Sequence, residues 1–284
     1  RDGSLLSTLP DYRGKTVHLV AHVSSFGYRG GGLREMPNIG SAQKVTETFQ
    51  GERYRSAALM GIALIMFIYH LAIFSRRRDA KDSLWFSFIC LSVLLRELAT
   101  ENLLCLWLDS PGEWVWAAEF RLEYLTMNLG ALPVWLCLRE LLNKYYPDRT
   151  TKFITALCGL NGLMTLVCSP ALNGALLPWY QLCLGVQIIL IIVPLLQATF
   201  AGADYSLPLL GGISALGLSV GIDIIISAHE IDMPFLASYG VAILIFAKSY
   251  ILSERFSQAH ATTEFLTKTL TQQSLVLHEE LEHR

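Results

Sequence analysis

The stretch "LLRELATENLLCLWL", Leu94 to Leu108, is apolar enough to sit in a bilayer, yet it carries Arg96, Glu97 and Glu101. Ionisable groups at membrane depth are unfavourable by about 3 kcal/mol each on insertion scales, and they mark a partner or a function. Whether this segment spans a membrane, and what its charges face, decides the fold.

Composition addresses the first half of that question. Only 16% of the 284 residues are charged, against about 25% in an ordinary soluble domain, and mean hydropathy is +0.42. The deficit is local. Residues 1–55 and 253–284 are ordinarily polar, while the middle holds several apolar runs of about 18 residues or more, the length that crosses about 30 Å of hydrocarbon. Such runs are too continuous for membrane β-strands, which alternate apolar and polar residues. A net charge of −2 with no basic tail gives nucleic acid nothing to bind. Cys90, Cys105, Cys137, Cys158, Cys168 and Cys183 all fall in or beside apolar runs, where cysteine behaves as a small buried hydrophobe; no disulfide framework is implied. The chain opens on Arg1 without a signal-peptide pattern and stops inside a helical stretch at Arg284, so it reads as a piece of a longer protein.

The apolar runs predict seven spans, at about 56–74, 84–108, 114–138, 153–169, 176–196, 207–228 and 234–252. Their direction follows from the short loops. "SRRRDAKD" carries Arg76, Arg77, Arg78 and Lys81, and "RELLNKYYPDRTTK" carries Arg139, Lys144, Arg149 and Lys152, whereas "DSPGE", "SPALNGA" and "HEID" have no Lys or Arg. Basic loops stay inside, which puts the N-terminus outside and the C-terminal segment in the cytoplasm. Trp107, Trp114, Trp116 and Trp179 lie near the outer ends, where aromatic belts form. Gly217 and Gly221, with Gly211, Gly212 and Ala215 nearby, make a small-residue face in span six, suited to close packing within the bundle or to dimerisation.

The two ends differ in kind. "KTVHLVAHV" alternates like a strand, Gly30 to Gly32 mark a turn, and "SAQKVTETFQ" reads as a further strand leading to the membrane. Fewer than 50 residues make a poor independent core, so residues 1–52 are expected to be the C-terminal part of an extracellular β-sandwich. At the other end, Leu252, Phe256, Ala259, Leu266, Leu270 and Leu277 follow heptad spacing, with Thr263, Gln273 and Glu280 as polar members. No Gly or Pro separates this run from span seven, so residues 253–284 are expected to form a cytoplasmic signalling helix that pairs with a second copy. A solvated amphipathic tail is the alternative.

The segment "HLVAHVSSFGYRGGGLREMPNIGSAQKV" ahead of seven spans resembles the end of the extracellular domain in bacterial seven-transmembrane receptors with diverse intracellular signalling modules, the 7TMR-DISM family. His22, Ser24, Phe26, Arg29, Gly31, Gly32 and Leu33 match its "VSNFxxRxGGL"-like pattern, with Ser25 where Asn is commoner. The resemblance implies a jelly-roll-like β-sandwich at the N-terminus, a membrane all-α seven-helix bundle over residues 53–252, and a cytoplasmic helix leading to an output module. It further implies a sensor in the bacterial inner membrane that takes a small-molecule or carbohydrate ligand, with a histidine kinase or nucleotide cyclase, such as a diguanylate cyclase, as output in the full-length protein.

The charged residues of spans two and three are the constellation that carries chemistry. A short outer loop makes the two spans antiparallel neighbours, so equal counting sets Arg96 near Glu123 and Glu101 near Glu119 and Arg121, and Arg121 can then meet Glu101 or Glu119. With Glu97 they form an intramembrane polar network, and Asp223 in span six either joins it or faces water. Three roles remain open: a structural lock, a ligand-sensitive switch, or an ion path, the last supported by Pro133 and Pro194 inside spans. An ion- or proton-coupled transporter or channel is therefore the alternative to a receptor, although no interrupted pair of segments repeats in two halves. Lys248 in span seven invites a Schiff-base role, but it lies close enough to the inner end to snorkel to the interface. His18 and His22 share a strand face without a third ligand, and His278-Glu279 lacks the basic residue and proline of a kinase phosphoacceptor box. No catalytic, metal or cofactor motif is recognised in this region.

Overall fold

The computed structural model describes residues 41–101, 103, 113–228 and 236–282, with side chains as far as 273 in the last helix. Residues 1–40 of the β unit expected over 1–52, with its motif from His22 to Leu33, lie outside the described residues. Within them the protein is all-helical: α1 (Ala42–Arg76), α2 (Lys81–Thr100), α3 (Glu113–Leu129), α4 (Ala131–Leu141), α5 (Asp148–Val167), α6 (Pro170–Phe200), α7 (Ser206–Ala228) and α8 (Ala237–Glu282). Five of these, α1, α2, α5, α6 and α7, are each long and apolar enough to cross a membrane.

The stretch "AQKVTETFQ", expected as a strand, is the first part of α1. Two local causes act together. Ser41 caps the helix by accepting from the Lys44 amide at 3.3 Å, satisfying a donor that has no intrahelical partner. The apolar span beyond it supplies a formed helix, and extending an existing helix is far easier than nucleating one.

Span three is divided, and proline is the reason. Pro133 has no N–H to return to the carbonyl of Leu129, so α3 ends at Leu129 and α4 begins at Ala131. The α2 residue Ser92 donates to the Thr126 carbonyl at 3.5 Å beside this break. That contact fixes α2 against α3 in an antiparallel register close to the one counted from sequence.

The helices close into a ring. Helix α2 packs against α1, α3, α4 and α8, and α8 packs along α7 and touches α1 and α2. The core holds Phe86, Cys90, Trp135, Leu138, Ile154, Leu195, Leu209 and Ile251. Trp135 is wholly buried, donates to Thr151 Oγ1 at 2.9 Å and meets Tyr146 edge-on. Pro194 leaves the Leu190 carbonyl in α6 without its helical donor, and at the next carbonyl Tyr146 donates to Ile191 at 3.1 Å. Outside, Ile65, Leu163, Leu182, Ile189, Leu218 and Phe246 are exposed, an apolar girdle of the kind a bilayer covers.

The α7–α8 pair is the tightest crossing, and glycine permits it. A Cβ at Gly240 would stand 2.7 Å from Leu216 Cα and 2.8 Å from Ser219 Oγ, and one at Gly212 would stand 3.1 Å from Leu244 Cα. The small face expected at Gly217 and Gly221 is used less: Gly217 meets Ile188 and Ile192 of α6, and Gly221 faces open space. Accordingly, Gly240→Ala will lower stability by about 1–3 kcal/mol through overpacking, whereas Gly211→Ala, whose Cβ meets nothing within 4 Å, will leave it unchanged or slightly raised. Thermal unfolding of the two purified variants in one detergent distinguishes these outcomes.

Candidate functional site

Two polar clusters lie at opposite ends of the bundle, and α2 and α8 contribute to both. The first surrounds Arg96, Glu97 and Glu101 of α2 and its C-terminal end. Glu97 is 6% exposed and accepts a short hydrogen bond from Ser238 Oγ, in the first turn of α8. Glu101 accepts from Ser56 Oγ of α1 at 2.6 Å. Asp223 of α7 takes the Leu236 amide on Oδ1 at 2.6 Å and the Ala237 amide on Oδ2 at 2.9 Å, so it caps the start of α8 from a neighbouring helix. Arg96 lies within electrostatic reach of both Glu97 and Asp223, and Arg55 of α1 stands 6.0 Å from the Tyr239 ring centroid.

This arrangement differs from the expected pairing of spans two and three. Neither Arg96–Glu123 nor Arg121 with Glu101 or Glu119 is among the ion pairs of the described residues. Glu119 is buried at 2% exposure, and Arg121 Nε is buried without a hydrogen-bond partner among the described residues. The carboxylates of α2 turn instead towards α1 and α8. Register along a helix pair was legible, but rotation about the axis was not, and successive residues differ by about 100° in direction.

The second cluster sits where α1, α4 and α6 end and α2, α5 and α7 begin, beside the basic loops. Asp82, in the first turn of α2, accepts from Lys248 Nζ of α8 at 2.6 Å and from Arg255 Nη1 at 3.3 Å. A carboxylate there also complements the positive end of the α2 dipole. Lys248 is 2% exposed, its ammonium 5.9 Å from the Phe86 ring centroid. It therefore does not snorkel to the interface; the pair with Asp82 holds it inside. The side chain of Cys137 approaches the Asp82 carbonyl at 3.5 Å. His70 of α1, fully buried, packs 4.6 Å from Phe86 and has no hydrogen-bond partner for either ring nitrogen among the described residues. Arg255 rests over the Tyr205 ring at 5.1 Å, and the Tyr205 hydroxyl donates to Gln258 at 2.8 Å.

Sequence reasoning missed this second cluster for an identifiable reason. In sequence, Asp82 closes the polar loop "SRRRDAKD" and Lys248 lies near the interface, although alternating spans place both at one end of the bundle. What the cluster can do is mechanical: it joins the start of α2 to the exit of a helix that runs unbroken for 46 residues. Among the described residues no group of three or more His, Cys, Asp or Glu has the geometry to hold a metal.

Removing one member of the buried pair strands the other charge, which is unfavourable by about 3–5 kcal/mol. Asp82→Asn and Lys248→Met will each destabilise by that order, and the double variant will recover most of the loss. Strictly additive losses, read from unfolding midpoints of all four proteins, would show the pair to be uncoupled. Asp223→Ala will cost about 1–2 kcal/mol as a lost cap, and Asp223→Asn only a fraction of that, measured by hydrogen exchange of the Leu236 and Ala237 amides.

Comparison with known proteins adds one match. A family model described as "7TM diverse intracellular signalling" matches residues 52–255, which run from α1 through both polar clusters to Arg255. No curated protein and no solved structure matches the chain. The match spans well over half of the sequence, so the chain belongs to the family of seven-transmembrane proteins with diverse intracellular signalling.

Proposed function

We propose that this region senses a ligand on the outer side of a bacterial inner membrane and relays its presence to a cytoplasmic output module. The observation that carries the reading is α8. It is one helix from Ala237 to Glu282, its start is held by Asp223 and Glu97 and its exit by Asp82. Family membership makes it a multi-pass membrane sensor. The orientation, with the N-terminus outside and the C-terminus in the cytoplasm, rests on the Lys and Arg content of the loops.

In this reading the N-terminal β unit takes a small-molecule or carbohydrate ligand, and the polar cluster of α1, α2, α7 and α8 transmits the change. The α8 extension supports pairing with a second copy: Phe256, Phe265, Leu266 and Leu270 are all more than half exposed, on a helix with no neighbour there among the described residues. Catalysis belongs to the output module, of histidine kinase or nucleotide cyclase type, and not to the bundle. The ion-path alternative finds less support, because Glu97, Glu101 and Asp223 each hold a fixed hydrogen bond between helices.

A cysteine introduced at Ala259 or Leu266 tests the relay in native membranes. Oxidative cross-linking between copies is expected, and Asp82→Asn combined with Lys248→Met will alter its rate several-fold while the protein stays folded. Absence of cross-links from every position of the seam, or a rate indifferent to the latch, would sink the proposal. Proton or cation flux in liposomes that Glu97→Gln abolishes would favour the transporter reading instead.

A further inference from the structure

At the basic end an open cavity of about 390 Å³ lies between three segments: the turn after α4, the α6–α7 connection and α8. Its lining includes Leu141, Asn143, Lys144, Asp204, Tyr205 and Arg255. The shape follows from the chain. The 3-10 turn Asn143–Tyr145 carries one wall away from α4, and the α6–α7 connection turns through Gly202 at φ 70° and Tyr205 at φ 61°. A tyrosine in that region is unfavourable by about 1–3 kcal/mol, and such strain persists where the surroundings need the geometry. Here it sets the Tyr205 ring under Arg255.

Two cations border this space with bonding capacity to spare. Arg255 uses Nη1 on Asp82 at 3.3 Å, and its other guanidinium donors have no acceptor among the described residues. Lys144 is exposed, with its ammonium 5.8 Å from the Tyr145 ring centroid and no ion pair among the described residues. Asp204 contributes the opposing charge. The cavity thus offers a planar fork and a point charge beside apolar Leu141 at the level where helices end, a combination suited to a phosphate diester attached to acyl chains.

We infer that this cavity binds the headgroup of an anionic phospholipid, the phosphate engaging Lys144 and Arg255. The membrane is the source favoured over free phosphate because the site lies at the ends of the spans and has an apolar wall. A bound headgroup shares Arg255 with Asp82, so it acts on the same residue that ties α8 to α2. The site stands independently of the receptor reading, since binding is read without any output.

The test titrates the full chain in detergent with three probes: short-chain phosphatidylglycerol, short-chain phosphatidylcholine and inorganic phosphate, followed by thermophoresis. Saturable binding of phosphatidylglycerol is expected, with weak binding of the other two. Lys144→Ala will weaken it about five-fold and Asp204→Asn will tighten it about five-fold, the worth of one charge near a membrane surface. Lys81→Ala, at the same end but outside the cavity, will leave it unchanged; both Lys81 and Lys144 are exposed, so folding is not at issue. Equal binding of phosphatidylcholine, equal weakening by Lys81→Ala, or binding of inorganic phosphate as tight as that of the lipid would each overturn the proposal.

Discussion

The Asp82–Lys248 pair is the contact on which the arrangement of helices depends. A lysine that is 2% exposed inside a membrane bundle has no water to turn to, and its charge must be met by a carboxylate on another helix. Asp82 meets it at 2.6 Å from the first turn of α2, where the helix dipole already favours a negative group. That single pairing fixes the rotation of α8 about its axis. Rotation in turn decides which residues of α8 face Phe86 and Leu209 in the core and which continue as the exposed seam beyond the bundle.

The opposite end of α8 is fixed by different chemistry. Asp223 reaches from α7 to the Leu236 and Ala237 amides, a helix cap supplied by another helix, and Ser238 binds Glu97 of α2. Between the two ends, Gly212 and Gly240 let α7 and α8 approach until backbone meets backbone. Helices α7 and α8 are therefore closely joined, and the pair meets α6 through α7 and both α1 and α2 through α8. The interface with α2 is polar at both ends and mostly apolar between, so it resists gradual sliding and favours a small number of arrangements.

Hydropathy made the five long apolar helices legible, because burial in lipid is a property of composition and length. Proline made the division of span three explicable once the backbone was known, since Pro133 denies Leu129 its partner. Two features were misread, each through a rule that ranked the wrong competitor. At Ser41 the strand reading of "SAQKVTETFQ" loses to a cap joined to a long helix. At Lys248 snorkelling was preferred over an ion pair, although Asp82 was equally near that end. The partners of Arg96 and Glu97 were beyond sequence reasoning for a geometric reason: an error of one residue turns a side chain by about 100°, from α3 towards α8.

Magnitudes bear on whether this bundle has the capacity to switch. Moving a two-state equilibrium from 1:99 to 99:1 requires about 5.5 kcal/mol of differential interaction. Disengaging one member of a buried pair is worth about 3–5 kcal/mol, and losing a helix cap about 1–2 kcal/mol. Together the two ends of α8 hold an energy of the required size, and neither end alone reaches it comfortably. A stimulus that only loosened the Asp223 cap would leave α8 held by Asp82, whereas one that rotated α8 enough to exchange its partners at both ends would have the full difference to act on. In the proposed relay the physical requirement is thus concerted: α8 has to turn as a rod, and its unbroken course from Ala237 to Glu282 would carry a turn begun at Ser238 to Arg255 and on along the exposed seam.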